Sequence, residues 1–379
     1  MDLVFGREIA QERRPMRHLD PVLLTAALGL AVIGLLMIYS ATNDSLRALD
    51  FDPGTYLKRQ LAWLAIGSVL LLLSATFDYR FVKVYAGLAY AGTIAMLLLV
   101  RTPLGTTVAG SQRWFELFGF QLTPSELMKL SLIAMLGAHL SELRVAELSM
   151  RDVIRIAAIA VFPIALVFFQ PDVGTAIVLT AVLVGILIVA GTKARYLAVL
   201  ALTAFVLVFG AFHLGIIKEY QVARLTSFLD PENDPTAAGY NRLQAEIAIG
   251  AGGLVGLGYL NGTQTGLDFV PEQHTDFIFT VVGEEFGFIG AMVLLTMFCL
   301  LLWRAFRIAA LSKDLFGTFL AAGIASMFAV QIFINVGMTL GIMPITGIPL
   351  PFVSYGGSSM MTNFVAVGLL LNVHMRRFK

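Results

Sequence analysis

Apolar residues along this chain come in long, nearly unbroken runs, not at the period of a half-buried helix or strand. Crossing the hydrocarbon core of a bilayer takes about 20 such residues in an α-helix. Ten runs qualify, at roughly 20–41, 59–77, 83–101, 125–143, 152–170, 173–191, 196–216, 276–303, 315–341 and 352–374. The fourth carries Lys129 and His139 inside it. The pattern predicts an all-α polytopic membrane protein of about ten transmembrane helices, a single domain over residues 1–379.

Composition agrees. The chain is 58% hydrophobic and 13% charged, against about 25% charged in soluble domains. A net charge of +1 leaves no electrostatic footprint for nucleic acid. The lone cysteine, Cys299, excludes an intrachain disulfide and a thiolate metal site. Residues 1–19 hold four arginines and no cleavable apolar core, so they read as a cytoplasmic arm. With the N-terminus inside, 17 of the 26 Lys and Arg fall in inner segments. That bias predicts both termini in the cytoplasm. Two outer loops are then long, roughly 102–124 and 217–275, and the second is the longest polar stretch in the chain. Loops of this length are usually functional.

Four stretches with chemical potential fall at the predicted outer ends. In "GSQRWFELFGFQLTPSELMKL", from Gly110, "WFELFGF" suits a short interfacial helix. Thr123, Pro124 and Glu126 then form a capping-box pattern, with Lys129 one turn on as a partner for Glu126. In "QPDVGTA", Asp172 suits the N-cap of the next helix. The long loop carries Arg224, Arg242, Gln244 and the glycines 250, 252 and 256. No strand precedes those glycines, so a dinucleotide fingerprint is excluded. They suit close backbone approach, or approach to an anionic head group. In "PEQHTDFIFTVVGEEFG", His274 and Asp276 stand at the mouth of the eighth span. Glu284 and Glu285 follow inside it, about 12 Å deeper. Carboxylates within a span are functional candidates by default. Last, the prolines of "MPITGIPLPFVSYGGSSM" forbid regular helix, and non-helical backbone at this depth needs protein or a wet cavity around it. Tyr355 and Ser358 suit the lining of that cavity, with Gln331 and Asn335 at i and i+4 on the ninth span.

The polar residues cluster at the outer side, whereas a transporter needs a polar path reaching both faces. A carboxylate among cations suits transfer chemistry on an anionic, lipid-linked substrate: a base for a hydroxyl, and cations for a leaving phosphate. A flippase for lipid-linked precursors and a non-catalytic scaffold are the readings from other classes.

"GSQRWFELFGFQLTPSELMK", "QPDVGTA", "AGYNRLQAEIAIGAGG", "GTQTGLDFVPEQHTDFIFTVVGEEFG" and "PITGIPLPFVSYGGSS" resemble, in order, the SEDS family of shape, elongation, division and sporulation proteins. The resemblance extends over nearly the whole chain and is nearer the elongation type than the division type. It implies a peptidoglycan glycosyltransferase of the bacterial cytoplasmic membrane that polymerises lipid II at the outer face. It also implies a class B penicillin-binding protein as partner. Asp276 stands at the family's essential aspartate, and Glu126 and Lys129 match its charged pair. Arg224, Lys129 and Arg242 become candidates for the diphosphate. Gln244, His274 and Ser358 join Glu126 as substrate-binding candidates, and Glu284, Glu285, Gln331, Asn335 and Tyr355 as cavity lining. No cofactor is required; a divalent cation, Mg or Mn, is compatible with a diphosphate. Leu257 stands where the family usually has Lys, so no phosphate role is given to that position.

Overall fold

The computed structural model describes residues 18–108, 111–117, 120–143, 147–213, 215, 228, 237–267, 269 and 271–377. Arg224, residues 1–17 of the N-terminal arm and most of 217–236 lie outside the described residues.

Helices α1 (Pro21–Ala48), α2 (Thr55–Thr76) and α3 (Tyr79–Leu99) come first. A small sheet follows, β1 (Thr106–Val108), β2 (Ser111–Leu117) and β3 (Phe120–Leu122). Then come α4 (Pro124–Leu143), α5 (Met150–Phe169), α6 (Val173–Val189) and α7 (Ala194–His213). After the long loop stand α8 (Ala237–Gly252) and the single turn α9 (Thr263–Gly266). The chain closes with α10 (Ile278–Ala310), α11 (Leu315–Thr339) and α12 (Gly357–Arg376). Apart from α8 and α9, each helix occupies one of the ten expected runs. Seven of them are long and apolar enough to cross a membrane by length and composition. The others are α6, which has 17 residues, and the more polar α4 and α12. The fold is an all-α polytopic membrane protein.

The core is built around α11, which is buried along most of its length and packs against α10, α4 and α6. Helix α2 lies along α12, and α3 along α4. Helix α7 has no buried residue; only its first turns, at Tyr196, Leu197 and Leu200, pack on the core, and most of its apolar surface faces outward. Acidic and hydroxyl caps start the helices whose first turns lie at the Arg-rich end. Asp20 accepts from the Leu23 N–H at 3.1 Å and pairs with Arg304. Asp314 accepts from the Gly317 N–H at 2.7 Å. Ser149 and Asp152 form a full capping box on α5. Each cap satisfies first-turn donors that lipid could not.

The expected interfacial helix at "WFELFGF" is corrected by the structure. Residues 111–117 form β2, paired antiparallel with β1 and β3. A helix of two turns with no cap gains little on its own; pairing on both edges satisfies the same backbone groups.

Helix α10 is broken in the middle. Gly287 has φ 61° and ψ −158°, which interrupts the i→i−4 ladder. The glycine-rich turn after α8 repairs it. The Leu257 N–H donates to the Glu284 carbonyl and the Gly258 N–H to the Glu285 carbonyl, both at 3.0 Å. Phe288 and Ile289 donate back to Gly253 and Leu254 at 2.9 and 3.1 Å. A side chain on Gly256 would overlap the Glu285 carbonyl, and one on Gly252 the Gly283 carbonyl. Gly252 and Gly256 make the expected close backbone approach, whereas Gly250 faces open space.

This generates a comparison of two substitutions in one turn. Gly253 (φ 54°) faces open space, whereas Gly256 (φ 82°) faces backbone. Gly253→Ala carries only the left-handed penalty of about 1–2 kcal/mol. Gly256→Ala adds a backbone overlap and should cost clearly more. Thermal unfolding in detergent should show Gly256→Ala melting well below Gly253→Ala; equal melting temperatures would contradict the docked turn.

Candidate active site at one end of the helix bundle

The site is organised by the irregular segment between α11 and α12. Gly341 (φ 70°) and Gly347 (φ 75°) turn it, and Pro344, Pro349 and Pro351 keep it out of helix. Its backbone is satisfied by side chains from elsewhere. Asn335, on α11, donates to the Ile348 carbonyl at 2.7 Å and to the Asp276 carbonyl at 2.8 Å. Ser354 Oγ accepts from the Leu350 N–H at 2.8 Å and donates to the Thr275 carbonyl at 2.5 Å. Gln60, fully buried on α2, donates to the Ser354 carbonyl and accepts from the Gly356 N–H, both at 3.3 Å. The Tyr355 N–H donates to the His274 carbonyl at 2.9 Å. The segment 274–276 is thus strapped along the irregular segment.

Asp276 lies in the turns before α10, not within it; the helix starts at Ile278 with no side-chain cap. Its N–H donates to the Glu272 carbonyl at 3.1 Å. Its carboxylate faces Gly347, where an added Cβ would lie 3.2 Å from Oδ2. Any side chain at 347 would crowd it, on top of the strain of the positive φ. Beside it stands an aromatic wall. His274 lies 4.9 Å from the Tyr56 ring and 5.7 Å from the Tyr355 ring. The Tyr56 and Tyr355 rings meet edge to face, 5.0 Å apart.

The second part of the site is the start of α4. Lys129 Nζ meets Glu126 Oε2 at 2.7 Å, with Lys129 1% and Glu126 7% exposed. The expected capping box does not form: the Glu126 carboxylate is turned to Lys129, and the Thr123 N–H donates to Ser358 Oγ at 3.1 Å. Ser358 Oγ in turn donates to the Gln121 carbonyl at 2.9 Å, fastening the start of α12 to the start of α4. Asp172 caps α6, accepting from the Thr175 N–H at 3.1 Å. Its other oxygen accepts from Ser125 Oγ at 3.1 Å. Arg113 reaches from β2 to the carbonyls of Gln170 and Pro171. Thr346 and Ile348 pack on Gly174, where a side chain would not fit. The same irregular segment therefore touches both the turn that holds α4 and the turn that holds Asp276.

The remaining candidates divide. Arg242 sits under Gly341, pairs with Glu246 at 2.8 Å and donates to the Phe228 carbonyl at 3.1 Å. Gln244 is half-buried on the same helix. Arg224 lies outside the described residues. Glu284 and Glu285 are turned toward α1 and the loop at 257–266. Glu284, 0% exposed, accepts from the N–H groups of Gln264 and Thr265 at 2.7 and 3.0 Å and from both threonine hydroxyls of α9. Glu285 accepts from Ser40 of α1. The structure gives both a part in holding this loop. Gln331 is buried on α11, one turn inward of Asn335.

Sequence reasoning passed over the first turns of α2. Tyr56, Arg59, Gln60 and Trp63 recur at i, i+3, i+4 and i+7, a polar and aromatic stripe on one face of a membrane helix. That stripe was the available signal. Trp63 packs on Phe120 at 4.5 Å, and both cover Gly357.

A multispan helical protein with a buried lysine–glutamate pair and a half-buried aspartate gathered around one irregular segment defines the class. Comparison with known proteins is specific. The profile of the FtsW/RodA/SpoVE family, described as "Cell cycle protein", matches residues 21–379. A probable peptidoglycan glycosyltransferase FtsW of Geobacter sp. (strain M18) is 40% identical over 372 residues, spanning 96% of this chain and 98% of the relative. Peptidoglycan glycosyltransferase MrdB of Escherichia coli K12 is 37% identical over 365 residues, spanning 95% of this chain and 94% of the relative. A solved chain from work on polymerization and crosslinking by a peptidoglycan synthase complex superposes with a TM-score of 0.80 at 30% identity, over 95% of this chain and 99% of that one. The chain belongs to the FtsW/RodA/SpoVE family, the SEDS proteins.

The buried pair makes its own prediction. Removing one partner of a buried ion pair typically costs 3–5 kcal/mol, whereas replacing both by apolar isosteres is often near neutral. Lys129→Met should lower the melting temperature strongly. Lys129→Met with Glu126→Leu should recover most of that loss while remaining inactive. A single variant as stable as the parent would show that the pair is not the buried unit described.

Proposed function

We propose that this protein is a peptidoglycan glycosyltransferase that polymerises lipid II at the outer face of the bacterial cytoplasmic membrane. The observation that carries the reading is that one irregular segment straps the turn of Asp276 and, through Gly174 and Asp172, reaches the start of α4 that bears the buried Glu126–Lys129 pair. It gives a carboxylate and a desolvated cation at the same end of the bundle. The membership of the family and the names of the relatives supply the chemistry. The acceptor's sugar hydroxyl attacks the anomeric carbon of the donor. The bond from that carbon to the lipid diphosphate breaks, and the diphosphate-lipid leaves with the bonding electrons. Asp276 takes the hydroxyl proton. Lys129 offsets charge on the leaving diphosphate; a buried ammonium acts more strongly there than a solvated one. Arg224 and Arg242 are secondary candidates, Arg242 being held in an ion pair already. A divalent cation would be carried in by the diphosphate. Among the described residues, no group of three His, Cys, Asp or Glu is arranged to hold a metal.

The Lys and Arg bias supports a reading with this end outside and both termini in the cytoplasm. Residues 267–276 connect directly to the site, so labelling there reads its side. Leu267→Cys in a Cys299→Ala background should react with a membrane-impermeant thiol reagent in intact spheroplasts. Reaction only after lysis would place the site on the inner face. The partner proposed is a crosslinking transpeptidase of the class B penicillin-binding type, in keeping with the complex of polymerization and crosslinking matched above. The role proposed is wall elongation, carried by "GTQTGLDFVPEQHTDFIF". Restoration of rod shape in an elongation-deficient strain tests it, and rescue of a division-deficient strain instead would assign the other role.

Labelled lipid II tests the reaction itself. The purified chain should form polymer; a flippase or scaffold would form none. A positioned base contributes roughly 10²–10⁴-fold in rate. Asp276→Asn should therefore stay folded, bind lipid II, and polymerise at least about 100-fold more slowly. Polymerisation by that variant within a few-fold of the parent would end the assignment of Asp276 as base.

A further inference from the structure

Gln331 is 1% exposed, and neither its amide nitrogen nor its amide oxygen meets a protein partner. A primary amide with all of its hydrogen-bonding capacity unmet is not tolerated in a dry interior. Ordered water is the usual remedy for such groups. The question is what that water would join.

The packing of α11 on α4 answers it. Gly323 is covered by Ile133, and Gly137 by Phe319, which fixes the antiparallel register of the two helices. Eight residues outward from the Gly323 contact, about 12 Å along each axis, Gln331 comes level with Ser125 and Glu126. Around α11, Gln331 lies about 40° from Asn335, displaced toward the face that meets α4. Three further observations fall in line. Glu126 Oε2 meets Lys129 Nζ and forms no hydrogen bond beyond that ion pair. Asn335 Oδ1 is buried and unpartnered. Asn335 Nδ2 holds the Asp276 carbonyl. Unmet polar atoms thus stand within about one helical turn of the same level: on the pair on α4, on Gln331, and on the amide that carries Asp276.

We propose that Gln331 is a positioning residue. Its amide holds buried water that joins the Glu126–Lys129 pair to the Asn335–Asp276 contact. The cation on α4 and the carboxylate before α10 are thereby kept in one fixed relation. This rests on the glycosyl-transfer reading above. It differs from simple bonding between helices, because no protein group on a neighbouring helix takes up the amide.

The test replaces the amide and keeps the shape. Gln331→Met preserves length and removes both polar atoms. Its melting temperature should stay at or above that of the parent. Polymerisation should fall at least about tenfold in kcat, less than the roughly 10²–10⁴-fold of a group that itself transfers the proton, with KM within about twofold. Gln331→Asn, which keeps the amide and leaves space for one more water, should recover to within a few-fold of the parent. A folded Gln331→Met variant with parental kcat would overturn the proposal. So would an Asn variant no better than the Met variant. If the parent itself forms no polymer, the glycosyl-transfer reading fails and not this inference alone. A structure of the parent chain at a resolution that shows ordered water decides the matter without activity, and serves equally if Gln331→Met does not fold. It should place at least one water within hydrogen-bond distance of the Gln331 amide; a dry amide would overturn the proposal.

Discussion

Backbone polar groups inside a membrane must find partners within the protein, and this chain breaks its helical ladder at membrane depth twice. The first break, at 341–356, depends most on borrowed partners. Asn335, Ser354 and Gln60 each bond backbone that has no helix to satisfy it. Two of these three side chains also bind the 275–276 backbone. The groups that make an irregular segment tolerable are therefore the groups that deliver Asp276 to the site. Losing one would leave an unmet carbonyl or N–H in a low-dielectric interior, which is costly. Under the proposed function, structure and function share those hydrogen bonds.

The second break, at Gly287, is solved differently. There the partner is backbone: the turn at 253–258 is pressed against 284–289, and glycines permit the approach. Glu284 then reaches out to the first turn of α9, and Glu285 to Ser40. A pair of buried carboxylates that looks catalytic by depth is given to holding the loop that leads to Asp276. Acids in a membrane helix call for partners; here N–H and hydroxyl groups serve as partners.

The spans were legible because a bilayer demands length and apolarity, and both are visible residue by residue. The start of α4 at Pro124 and the cap at Asp172 were legible because they are local. What the sequence hid was long-range. Nothing in "WFELFGF" shows that β1 and β3 flank it, so an amphipathic helix was the natural expectation. Nothing near Glu284 announces a loop twenty residues earlier as its partner. The stripe of Tyr56, Arg59, Gln60 and Trp63 was visible, but its meaning depends on the irregular segment lying against α2. Asp276 and Lys129 are visible as candidates by residue type, position and the family motifs that contain them; that the segment 341–356 touches both the turn of Asp276 and the turn that holds α4 is a property of the fold alone.

The most direct measurement is a structure of the full chain with a lipid-linked disaccharide diphosphate bound. The diphosphate is expected beside Lys129 Nζ, with the reacting sugar lying against the wall of Tyr56, His274 and Tyr355 and within reach of the Asp276 carboxylate. A substrate seated at the opposite end of the bundle, near Asp20 and Arg304, or one whose diphosphate lies far from both Lys129 and Asp276, would contradict the site described.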